Sequence, residues 1–193
     1  MKIVSLLMVL LFISACTPSV NQVDPYKFYT LNYQGSAKQN TQPIYDFVKI
    51  DLPHVSTKHI TENILYSKKS FEQNAYSQSK WKEPLAVMLQ SWLVQSMENS
   101  HLFKGVIRAA SRANVPLIIE TDIVKFEHII YQDEVHVALK VVLIQYHQRK
   151  IIKQKLFNYH IKVAHPSADE AVVSFNQSLI QFDKDLSLWL KEK

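Results

Sequence analysis

The chain of 193 residues contains one cysteine, Cys16, and two glycines, Gly35 and Gly105. A single thiol cannot close an intramolecular disulfide, so the core must hold by packing alone. Two isolated glycines provide no phosphate-cradling loop, no dinucleotide-binding fingerprint and no Gly-x-Ser-x-Gly nucleophile elbow. No block of like charge stands out. The formal net charge is +5, and the basic residues are scattered, densest across 150–155. After Cys16 no apolar run approaches the roughly 20 residues that a membrane-crossing helix needs. Apolar material is plentiful in total, at 47% of residues with 11% aromatic, which suits one packed domain and excludes a disordered chain.

The amino terminus departs from that pattern. Lys2 precedes a largely apolar stretch, Ile3–Ile13, followed by the small residues Ser14 and Ala15 and then Cys16. A positive start, a short apolar segment and a small-residue cleavage point make a secretory signal peptide. An ordinary signal peptide or a buried N-terminal helix would also explain the apolar stretch. The order Ile13-Ser14-Ala15-Cys16 resembles the bacterial lipoprotein signal. That resemblance implies a diacylglycerol on the Cys16 thiol, cleavage on its N-terminal side and acylation of the new amino group. Each buried methylene contributes about 0.8 kcal/mol, and two or more chains anchor stably. The expected organisation is a signal peptide over 1–15, a lipidated tether over 16–25 and a domain over 26–193. Thr17 stands where Asp would resemble the inner-membrane retention signal of enteric bacteria, so an outer-membrane anchor facing the periplasm is expected. An exported chain of this charge is not expected to bind nucleic acid.

Within the domain, the aromatic and β-branched segments 26–33 and 44–52 predict strands, as does the pair 63–71 and 74–80. Pro84 then opens a helix in which Leu85, Met88, Leu89, Trp92, Leu93 and Met97 recur at helical spacing. Three long segments follow, 117–131, 135–147 and 151–163, separated by short polar turns. They predict an antiparallel meander with one face committed to a core, with bulges where alternation fails near 120–124 and 153–156. Ser167 and Glu170 have the spacing of a capping box, and Val172, Phe175, Leu179, Phe182, Leu186 and Trp189 follow at three- and four-residue intervals. That stripe fits a coiled-coil seam or a helix face packed on a sheet; Ala171, Ile180, Leu188 and Leu190 widen it toward sheet packing. A helix over 168–191 would be about 36 Å long, enough for its end around Leu188 and Leu190 to reach a partner. The fold class is therefore α/β in the α+β sense, an antiparallel sheet with two packed helices, the longer one C-terminal.

Chemistry is scarce. None of the eight histidines forms a His-x-x-x-His or His-Glu-x-x-His pair. His128 and His136, with Glu127 and Asp133 nearby, are the one arrangement resembling a metal site, but surface histidines on strands are the commoner reading. No metal, cofactor or catalytic residue is assigned, and an enzyme is not expected. Trp81, flanked by Lys80 and Lys82, fits either an interface anchor or a staple at the strand–helix corner against Leu85.

Taken in order, these features resemble one family. The early strand reads Phe28-Tyr29-Thr30-Leu31; Tyr66 and Tyr76 lead to Lys80-Trp81 and Pro84; Ser100, Phe103 and Val106 close the first helix. Ile119-Glu120 with Ile123 and Phe126 then share one strand, and a long helix ends the chain. This pattern resembles the ABC-type transport auxiliary lipoproteins, the PqiC-like family. Lys80, Leu85 and His101 stand where members often carry Arg, Pro and Gly. The resemblance implies a non-catalytic docking or adaptor subunit of an MCE-type ABC system moving lipid between inner and outer membranes. Its partner would be an MCE-domain protein, and several copies could form a ring. The other reading is an outer-membrane assembly lipoprotein resembling the plug of the lipopolysaccharide-export barrel. Candidate partner-binding residues are Trp81, Lys80, Leu188 and Leu190. The anchor itself is directly testable: Cys16→Ala should give a folded protein lost from the membrane fraction, and normal retention would contradict lipidation.

Overall fold

The computed structural model describes residues 25–35, 42–55 and 61–192. The expected signal peptide and most of the tether, including Cys16, lie outside the described residues. The N-terminal part contributes short strands: β1 (Lys27–Tyr29), β2 (Val48–Ile50), β3 (His54–Val55), β4 (Asn63–Ser67) and β5 (Asn74–Trp81). Helix α1 (Leu85–Ser100) and strand β6 (Val106–Arg108) follow. Then come β7 (Leu117–Ile129), a 3-10 turn (Ile130–Gln132), β8 (Glu134–Gln145), β9 (Lys150–Lys162) and α2 (Ala168–Lys191). The α+β architecture with the longer helix at the C-terminus agrees with expectation.

The pairing is mixed. Strands β7, β8 and β9 form the expected antiparallel meander, and β4 pairs antiparallel with β5. Strand β7 also takes three parallel partners in succession: Val48 opposite Leu117, His54 opposite Asp122 and Tyr66 opposite His128. Strands β2, β3 and β4 thus line up end to end along one edge of β7. Strands β1 on β5 and β6 on β2 are parallel as well. Only the antiparallel pairs are joined by tight local turns, and those are the pairings that periodicity predicts.

Alternation selects the core face. Val135, Val137, Leu139, Val141 and Leu143 are all buried, whereas His136 and Lys140 on the opposite face are partly exposed. On β7 the register shifts between Ile123 and Lys125, leaving Val124 as the bulged residue. The inward parity therefore changes from Thr121 and Ile123 to Phe126 and His128. A second shift, between Leu143 and Ile144, places a bulge at Ile152 on β9, just before the predicted region.

Helix α2 spans the residues its spacing predicts. Its stripe from Val172 to Trp189 is buried, so it is a sheet-packed face and not a coiled-coil seam. Phe175 stacks on Phe126 at 4.5 Å, and Trp81 meets both rings, at 5.8 Å from Phe175 and 6.1 Å from Phe126. Farther along, Phe182 stacks on Trp92 of α1 at 5.8 Å. The capping box forms on one side only. Ser167 Oγ accepts from the Glu170 N–H at 3.2 Å, but the Ser167 N–H donates to the His165 carbonyl. Asp169 instead ties the first turn to β1, accepting from the Tyr29 hydroxyl at 2.7 Å and Lys27 Nζ at 3.0 Å. On α1, the Pro84 carbonyl accepts from the Val87 and Met88 N–H groups, and left-handed His101 ends the helix. No helix among the described residues is long and apolar enough to cross a membrane.

Phe175 joins helix to sheet at the centre of this packing. Phe175→Ala should lower unfolding stability by about 3–5 kcal/mol, measured by urea denaturation.

Candidate functional site

The elements above give the domain two ends. Strand β1 runs parallel to β5 with Lys27 opposite Ser79, so the chain upstream of β1 points toward the β4–β5 turn. Ser67 lies opposite Ile129, which sets the 3-10 turn beside that same turn. Lys162 pairs with Glu134 there too, and α2 begins six residues later. One end thus holds the chain entry, the β4–β5 turn and the N-terminus of α2. The other holds the C-terminus of α2, the β8–β9 turn and the start of β2.

At this second end the last carbonyls of α2 are capped from other elements. Lys153 Nζ donates to the Trp189 carbonyl at 2.7 Å and to the Glu192 carbonyl at 2.6 Å, and the Tyr45 hydroxyl donates to the Leu190 carbonyl at 2.7 Å. A cation is favourable at a helix C-terminus, and Lys153 also lies 5.2 Å from the Trp189 ring centroid. Burial lowers its pKa from the ordinary lysine value. Tyr45, Ile152, Lys153, Trp189 and Glu192 enclose a shallow cavity of about 410 Å³. Leu188, 61% exposed, and the exposed Ile151 and Ile152 give this end an apolar surface. Phe47 lies against Gly105, where a Cβ would come within 2.7 Å of its ring and push this exposed side chain aside.

Residues 29–186 match the family of ABC-type transport auxiliary lipoprotein components. The chain belongs to this family. No curated protein matches the sequence. Among solved structures, a Xanthomonas campestris protein of the DUF330 family superposes with a TM-score of 0.76 at 16% identity, covering 85% of this chain and 94% of that one. A second, an uncharacterized protein, gives a TM-score of 0.69 at 15% identity, covering 87% and 100%. At these identities the likeness shows a shared fold.

Placed on this auxiliary-lipoprotein fold, the sequence-predicted residues separate. Trp81 is 1% exposed and packs against both Phe126 and Phe175, so the candidate surface anchor is corrected: its indole is a core side chain. Leu190 is corrected likewise, because it sits one turn beyond Leu186 on the buried face of α2. Lys80 is half-buried with its Nζ 4.8 Å from the Tyr26 ring centroid, and Leu188 is exposed at the far end of α2. The four were not brought together. Sequence reasoning missed Tyr45 and Lys153, whose capping role depends on contacts across distant parts of the chain. It also passed over Phe71, whose signal is an aromatic residue beside Lys68-Lys69-Ser70 in a turn.

The auxiliary lipoprotein's histidines do not converge either. His128 lies opposite Val135 and His136 opposite Glu127, and the bulge at Val124 sends His128 to the helix side. His128 is fully buried with Nδ1 2.7 Å from the Tyr76 hydroxyl, and its Nε2 has no hydrogen-bond partner. Burial pushes the Tyr76 pKa up to about 12. His136 is on the other face, stacked on His160 with ring centroids 4.1 Å apart and hydrogen-bonded to Asn158. Beside it, Glu127 lines an open cavity of about 430 Å³. Burial opposes its charge, but hydrogen bonds from Lys125, Gln73 and Ser67 together hold its pKa below the ordinary value. Among the described residues no group of three or more His, Cys, Asp or Glu is arranged to hold a metal.

Burial lowers the pKa of both His128 and His136 from 6.5. A histidine depressed in the folded state contributes stability above its unfolded value that is lost as pH falls through the folded one. The melting midpoint should therefore drop as pH is lowered below about 6.5. His128→Leu should lower the midpoint at neutral pH yet flatten this acid slope, and an unchanged slope would contradict the assignment.

Proposed function

We propose that this chain is the lipid-anchored, periplasm-facing component of an MCE-type ABC system that moves lipid between the inner and outer membranes. Its role is a non-catalytic docking or adaptor subunit, fixed to the outer membrane through Cys16. The family match across residues 29–186 carries the reading, because that family supplies auxiliary lipoproteins to ABC-type transport. The Ile13-Ser14-Ala15-Cys16 sequence supports the anchor.

In this reading the end distal to the chain entry meets an MCE-domain protein. Leu188 and Ile152 supply exposed apolar surface there, with Arg149 in the β8–β9 turn and Lys150 at the start of β9 close by. Of the expected partner residues, Leu188 keeps this role. A ring of copies belongs to the same proposal and would multiply a weak contact into a stable one.

The test is crosslinking in cells with a C-terminally tagged full chain, detergent purification and identification of what is captured. An MCE-domain protein is expected. Capture of a lipopolysaccharide-export β-barrel instead would assign the chain to outer-membrane assembly.

A further inference from the structure

Phe71 is the most exposed large apolar side chain described, and its ring stands clear of the other described residues. Its backbone is left-handed, at φ 65°, a conformation that suits glycine or asparagine in a turn and disfavours a bulky residue. Folding therefore gains neither buried area nor favourable local geometry from phenylalanine here. Tyr131, 47% exposed on the 3-10 turn, lines the same open cavity as Phe71, so two aromatic residues project from one end of the sheet. Lys68 and Lys69 are exposed just before Phe71 in the β4–β5 turn and make no ion pair among the described residues.

The chain entry is on this end. Lys27 is opposite Ser79 in a parallel pair, so Pro25 is level with Ser77, about 10 Å short of Asn74 at roughly 3.4 Å per residue. From Pro25 back to Cys16 the chain reaches at most about 30 Å. A membrane anchor at Cys16 can therefore extend past the β4–β5 turn but cannot carry that turn far from the bilayer. Tyrosine sits at the headgroup level of a bilayer, phenylalanine packs at the boundary between headgroups and acyl chains, and lysines beside them are drawn to anionic headgroups.

We infer that the end bearing Phe71 rests on the membrane that holds Cys16, with Tyr131 in the headgroup layer, Phe71 at its boundary with the acyl chains and Lys68 and Lys69 against anionic lipid. The inference rests on the reading of Cys16 as a lipid anchor. It also sets the direction of the domain, because α2 begins at this end and runs away from the bilayer toward Leu188.

The test uses the full lipidated chain in vesicles of phosphatidylethanolamine and phosphatidylglycerol. Cys16 is the only native cysteine and its thiol is consumed by lipid, so Ser70→Cys provides one site for a fluorophore. Gln148→Cys, in the β8–β9 turn, provides the same at the opposite end. A nitroxide carried on lipid headgroups should quench the label at 70 several-fold more than the label at 148. Adding Phe71→Gly should reduce quenching at 70 while the melting midpoint stays level or rises, because glycine accepts the left-handed backbone. Equal quenching at the two ends, or none at 70, in protein that floats with the vesicles overturns the inference and leaves the anchor standing. A fall in the midpoint on Phe71→Gly assigns the ring a structural role and also overturns it. Protein that does not float with the vesicles contradicts the anchor reading, and the inference falls with it.

Discussion

The stack of Phe126 on Phe175 is the contact on which the arrangement of this domain depends. Phe126 points toward the helices only because the bulge at Val124 changes the inward parity of β7. Without that extra residue the strand would present Lys125 and Glu127 to the helices, burying two charges in an apolar layer. The stack, with Trp81 against both rings, fixes α2 to the sheet near its N-terminal half. Phe182 on Trp92 then fixes the second half to α1, and Lys153 with Tyr45 seizes the last carbonyls. A helix held at three points along about 36 Å behaves as a strut.

That strut gives the proposed adaptor its geometry. The chain entry, the β4–β5 turn and the start of α2 are at one end, and Leu188 with the β8–β9 turn is at the other. A subunit tied to one membrane and docking a partner that arrives from another needs two surfaces held at a constant separation. The polar face of the sheet, with His136 stacked on His160 and Glu127 held by three donors, has its side chains engaged with one another. Work by the two ends and not by a central cleft is what the proposal asks of this fold.

The meander and α2 were legible because their information is local. Long strands alternate over short turns, and α2 begins with a serine cap and carries its stripe to the end. The parallel partners of β7 were not legible, since strands of two to five residues find each other across long stretches of intervening chain. Trp81 was ambiguous for a related reason. Nothing beside it in sequence reveals Phe175, which arrives from the last helix and turns a candidate anchor into core. Leu190 was readable, four residues after Leu186 and so on the same buried face, whereas Leu188 projects between. Phe71 sat in plain view, and what exposed its meaning was the left-handed turn together with the entry of the chain on the same end.

The measurement that tests the two-ended account most directly is photocrosslinking in cells from an unnatural residue placed in turn at Leu188 and at Ser70. The account predicts that position 188 captures a protein of the transport system and that position 70 captures lipid. Capture of the same protein partner from both positions, or of lipid from position 188, would contradict it.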